Sequence, residues 1–104
     1  MAFESGGEIV ASRTLHLIDE NGHRRPVSVF IGKPEPTREP PGYSCACQII
    51  GIGSQEACVG RGRDSIQALK SALVLVGTNL RNLNAELGGR LVWEGSSPDE
   101  LGLL

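Results

Sequence analysis

Few residues in this chain have the chemistry for a reactive site, and the three cysteines come first. Cys45, Cys47 and Cys58 are spaced by two and eleven residues. On a strand, a Cys-x-Cys pair points both thiols along one face about 6.5–7 Å apart, and an adjacent strand could bring the third alongside. Soft-metal binding or redox work would use such a cluster. Structural zinc, however, takes four ligands at spacings such as Cys-x2-Cys, and no histidine lies nearby in sequence to be the fourth. An odd number of cysteines cannot form a closed disulfide framework within one chain. The expectation is three small buried hydrophobes in a reducing cytoplasm, with no metal and no cofactor.

A second candidate is Gly60-Arg61-Gly62-Arg63-Asp64-Ser65, which runs directly into a helix start. Backbone amides, the helix dipole and two arginines could cradle a phosphate or carboxylate, with Arg61, Gly62, Arg63 and Ser65 as its contacts. The segment has neither the phosphate-loop pattern nor Gly-x-Gly-x2-Gly, and Asp64 would compete with an anion for the helix start. A plain strand-to-helix connection is favoured. The two histidines, His16 and His23, could enter a hydrolase site only with a nucleophile and an orienting acid converging on them. Ser12, Ser28 and Asp19 are available, but their spacing specifies nothing, and no catalytic residue is assigned.

These groups are positioned by elements legible in the hydrophobic pattern. Residues 8–19 alternate, with Ile9, Ala11, Leu15 and Leu17 on one face, Ser12, Thr14 and His16 on the other, and Arg13 interrupting the apolar set. Asn21-Gly22 supplies a turn, and Pro26 opens a second alternating run through Ile31. Pairing Leu17 with Val27 and Leu15 with Val29 places both apolar sets on one side. Residues 33–42 hold four of the six prolines. That composition predicts an extended connector or flap, not a central strand. Strands follow at 43–52 and 55–60, and a two-residue Gly53-Ser54 loop between them would set Ile49 opposite Cys58.

Asp64 is a good N-cap with Gln67 three residues on, and Gly88-Gly89 closes the pattern, so a helix is predicted over 64–87. Its apolar stripe is Ile66, Leu69, Leu73, Val76, Leu80, Leu83 and Leu87, widened by Ala68, Ala72 and Leu75. A short last strand at 90–94 and a tail at 95–104 complete the order. The fold class is α+β, with two layers: an antiparallel sheet of four to five strands packed against one long helix in the C-terminal half. The 104 residues form a single domain, with a β-meander over 8–60.

Ten Lys and Arg against twelve Asp and Glu give a net charge of −2, which lacks the electrostatic footprint of a nucleic-acid binder. No apolar run approaches the ~18 residues of a membrane span, and the start of the chain lacks the pattern of a secretory signal. The anomaly is surplus apolar character. One helix can cover one sheet face, leaving Ile18, Phe30, Ile50, Ile52, Ala57 and Val59 for the other. These residues and Trp93 are the candidate interface, for a second copy in a homodimer or for another protein. The competing expectation is that Trp93, Phe3 and the 101–104 tail fold back over that face.

Tyr43-Ser-Cys45-Ala-Cys47-Gln-Ile-Ile-Gly51-Ile-Gly53, Gly62-Arg-Asp64-Ser65-Ile-Gln67-Ala-Leu69 and Leu91-Val-Trp93-Glu resemble a family of short, uncharacterised bacterial proteins built around one domain of unknown function. The likeness spans about residues 10–103. It implies a free-standing, soluble bacterial protein and transfers no catalytic residue. The functional expectation is a non-enzymatic, self-associating interaction module. The alternative is a small-ligand or anion-binding protein, or a minimal enzyme, using residues 60–65.

Overall fold

Asp19 organises the first hairpin. Its side chain accepts hydrogen bonds from the Asn21 and His23 amides at 2.9 and 2.8 Å, and Gly22 takes φ +80°, a conformation glycine adopts without a Cβ penalty. The turn therefore occupies five residues, 19–23, between β1 (Ile9–Ile18) and β2 (Arg24–Gly32). The computed structural model describes residues 8–51, 56–88 and 90–93. The apex of this hairpin lies one residue earlier than the expected pairing requires, which corrects the register: Leu15 faces Val27 and Leu17 faces Arg25. The difference is two residues, one full strand period, so each side chain keeps its predicted face.

The proline-rich segment is also corrected, because part of it pairs. Glu35–Thr37 forms β3, antiparallel to the start of β4 (Gly42–Ile50), with Pro36 opposite Tyr43. β3 is short, and a proline with no N–H to give is tolerated at a sheet margin. β2 pairs the far end of the same β4 edge, Val29 facing Ile49. The opposite edge of β4 carries β5 (Glu56–Gly62). After the helix α1 (Ser65–Glu86), β6 (Leu91–Val92) returns beside β1, Leu91 opposite Leu17. Among the described residues this is a six-stranded antiparallel sheet with α1 on one face, the two-layer α+β arrangement the patterning implied.

The core lies between sheet and helix. Leu15, Val27, Val29, Ile31, Cys45, Cys47, Ile49 and Leu91 come from the sheet, and Ala68, Ala72, Val76 and Leu80 from α1. The buried line of the helix thus runs at every fourth residue, through the small side chains of Ala68 and Ala72 in its first half and through Val76 and Leu80 of the predicted stripe in its second. Leu69, Leu73, Leu83 and Leu87 pack only partly against the core. Ile66 is 76% exposed and Leu75 38%, so the predicted stripe is rotated about the helix axis. The cause is on β5. A Cβ on Gly60 would sit against Ala72 N and 2.6 Å from Ala68 O, and one on Gly62 would lie 2.5 Å from Ala68 N. The helix rests on β5 backbone to backbone, which only alanine beneath and glycine opposite permit.

Both helix ends follow the sequence. Asp64 accepts from Gln67 N at 2.7 Å, and Gln67 Oε1 accepts from Arg63 N at 2.6 Å. The arrangement is close to a capping box, except that Gln67 takes the amide of Arg63, the residue before the cap, and not that of Asp64 itself. Gly88 ends the helix at φ +71°, its N–H donating to Ala85 O at 3.2 Å. Asn84, buried on the last turn, accepts from Leu91 N at 3.0 Å, which ties β6 to the helix. That tie was not legible in the sequence.

Candidate functional sites: the cysteine pair, the glycine seat and the outer sheet face

Cys47 and Cys58 form a disulfide, with Cα atoms 5.1 Å apart. This corrects the expectation of three free core thiols. The expected register put Ile49 opposite Cys58, whereas the structure pairs Cys47 with Cys58 and Ile49 with Glu56. The observed register is displaced by two residues from the expected one, and this brings the two sulfurs directly across the ladder on the helix side. Residues 52–55, including Ile52 and the expected Gly53-Ser54 loop, lie outside the described residues. Cys45 is the free, buried thiol. Its Sγ donates to Gly32 O at 3.2 Å, and desolvation by burial pushes its pKa above the ordinary thiol value. Among the described residues no group of three His, Cys, Asp or Glu gathers to hold a metal.

At residues 60–65, Arg61, Arg63 and Ser65 are exposed. The first-turn amide of Gln67 is taken by Asp64, and the Gln67 side chain closes over Arg63 N. The Arg61 carbonyl accepts from Ser71 Oγ at 3.0 Å. Gly62 packs under Gln67 and Ala68. The glycines here serve helix–strand contact, a role that the alanines at 68 and 72 signal once the helix is known to cross β5.

The histidines are separated. His23 lies in the exposed turn, its Nδ1 3.6 Å from an Asp19 oxygen, with Arg25 Nε 4.0 Å away. His16 projects from the sheet face opposite α1, across from Pro26 on β2 and Val92 on β6. Ser28 faces Thr14, and Ser12 faces Phe30. No nucleophile, base and acid converge among the described residues. His16 Nδ1 is buried and finds no hydrogen-bond partner among them.

That outer face collects the remaining candidates. Register places Ile18, Phe30, Ile50, Ala57 and Val59 on it, with Ser28 beside Ile50, Gln48 beside Phe30 and Ala46 beside Val59. Val10 is 51% exposed and Val59 46%. Trp93 lies on the other side: it packs against the core, and the Arg13 guanidinium sits 3.8 Å above its ring. This accounts for the arginine in the apolar set of β1, because a cation stacked on an indole face is itself favourably placed. Phe3 and the 101–104 tail lie outside the described residues.

The chain matches the family described as Domain of unknown function (DUF6968) over residues 11–104, and it belongs to that family. No curated protein and no solved structure matches it. No helix among the described residues is long and apolar enough to cross a membrane.

Proposed function

We propose that this protein is a small, non-enzymatic interaction module that self-associates, two copies meeting across the sheet faces opposite α1. The observation that carries this reading is the one-sided layering. α1 packs on the face holding Leu15, Val29 and Ile49, while Ile18, Phe30, Ile50 and Val59 stand on the face it leaves. An alternating sheet face of apolar and small polar residues suits aligned sheet-on-sheet packing, and closed two-fold symmetry is the commonest way for a chain to cover its own face.

The proposed compartment is the cytoplasm, where a bond such as Cys47–Cys58 is of the transient or redox-active kind and not the staple of a secreted domain. With Cys47 and Cys58 paired, the thiol pool of that compartment is a potential reactant. Sedimentation velocity over a concentration series tests the assembly. The wild type is expected to sediment as a dimer and Phe30→Asp as a monomer, with the melting temperature of the monomeric fold little changed. A wild type that stays monomeric throughout, or a dimer that Phe30→Asp leaves intact, overturns the proposal.

A further inference from the structure

The three thiols are divided in a way that bears on exchange chemistry. Cys45 is fully buried and donates to the Gly32 carbonyl. Burial holds its thiol protonated beyond the ordinary range, so it supplies little thiolate to attack the neighbouring bond. Cys47 is buried as well. Cys58 alone is half-buried, on β5, whose only described strand partner is β4. Of the two bonded residues Cys58 is the less buried, so the approach for an outside thiol lies on its side of the bond, and the third cysteine is insulated from it.

The bond is also coupled to the helix seat. Cys58 and Gly60 are two residues apart on the same face of β5, and Gly60 touches the backbone of Ala68 and Ala72. Two separate thiols need more room than a bonded pair, because sulfurs at van der Waals contact stand well over an ångström farther apart than bonded ones. The buried side of the pair, held by Cys47 and the β2 and β4 core, has no slack to give. The added volume falls on β5 and on the α1 turns resting against it.

We propose that the Cys47–Cys58 bond is a redox site that a dithiol reductant opens through Cys58, releasing β5 and the first half of α1 from the rest of the sheet. A thiolate of the reductant attacks Cys58 Sγ, the S–S bond breaks, and Cys47 leaves as a thiolate that takes up a proton. The second thiol of the reductant then attacks the mixed disulfide. It forms the cyclic disulfide of the oxidised reductant and frees Cys58, for two electrons and two protons in all. Cytosolic disulfides that do occur are usually transient, catalytic or redox-sensing, and this division of the three thiols fits the sensing use. The proposal does not depend on self-association.

Dithiothreitol added to the native full chain at neutral pH, without denaturant, tests it. Thiols counted by alkylation after denaturation are expected to rise from one to three, whereas alkylation under native conditions marks Cys58 and leaves Cys45 unmarked. Hydrogen exchange is expected to quicken at least tenfold over residues 56–62 and 65–76 and to stay unchanged in β1 and β2. Oxidised glutathione should reverse both effects. A bond that opens only in denaturant overturns the proposal, as does Cys45 reacting as fast as Cys58, which would signal global unfolding. Unchanged exchange in β5 and α1 after reduction also overturns it. The Cys47→Ala, Cys58→Ala variant, where it folds, is expected to show the exchange pattern of the reduced protein.

Discussion

Gly60→Ala is the sharpest test of how the two layers are held. The added methyl would sit against Ala72 N and 2.6 Å from Ala68 O, about 1 Å inside ordinary contact. Both obstacles are backbone atoms in a regular helix, so no rotamer change removes them, and Ala72→Gly would not rescue the variant. The first half of α1 has to lift by about 1 Å, and a gap of that size forfeits roughly a quarter to a half of each dispersion contact beneath it. Overpacking of this kind costs about 1–3 kcal/mol, and a clash with backbone belongs at the upper end. Alanine restricts the unfolded chain and returns about 0.4–1 kcal/mol, leaving a net loss of about 2–3 kcal/mol. At roughly 4–8 °C per kcal/mol for a domain near this size, the melting temperature should fall by about 10–20 °C. In urea the midpoint should drop with little change in slope. Gly22→Ala is the control: its φ is +80° but nothing lies within 4 Å of the added Cβ, so only the backbone cost of about 1–2 kcal/mol applies. If Gly60→Ala proves no more harmful than Gly22→Ala, the backbone-to-backbone seat is wrong.

Two further substitutions probe the ends of the same system. Asp64→Ala removes the acceptor 2.7 Å from Gln67 N and should cost about 1 kcal/mol in urea denaturation; Asp64→Asn should recover most of it, and equal losses in the two would refute the cap. Cys45, its pKa raised by burial, keeps its proton in the folded state at pH values where the unfolded chain has lost it. The stability this contributes is full below the ordinary thiol pKa of about 8.5 and is lost as pH rises through the folded value. Urea midpoints of the oxidised wild type should therefore fall more steeply above about pH 8.5 than those of Cys45→Ala, and parallel curves would refute the assignment.

Element identity was readable wherever a local pattern had one physical meaning. Asp64 with Gln67 and then Gly88 bounds α1 correctly, because capping satisfies amides and carbonyls within one turn of the chain. Alternation assigned the faces of β1, β2 and β4 for the same reason. What failed was what depends on loop geometry. The turn at 19–23 is set by the Asp19 carboxylate reaching the Asn21 and His23 amides, which centres the apex on Asn21, one residue before the expected centre. The register of β4 against β5 is likewise displaced by two residues from the one a Gly53-Ser54 hairpin implies. Each discrepancy equals one strand period in register, so the faces survived while the partners changed, and the Cys47–Cys58 pairing was lost with them. Pro36 in β3 misled for another reason, since proline excludes a residue from the interior of a sheet more firmly than from its margin.

The rotation of α1 joins these points. Hydrophobicity alone centres the helix on its leucines, yet in its first half the structure centres it on Ala68 and Ala72 and leaves Ile66 exposed. Burying alanine in place of leucine gives up transfer free energy of about 0.8 kcal/mol per methylene. Such a choice is stable only if closeness offsets it, and closeness requires a partner strand without side chains at the contact. Gly60 and Gly62 provide that strand, and their lack of side chains is what lets the helix rest on it. The same closeness leaves no tolerance at the next inward position of β5, where Cys58 stands. A bonded sulfur pair fits there, and two free thiols demand movement. The glycine seat and the disulfide therefore act on one strand, and a change at either should be felt at the other.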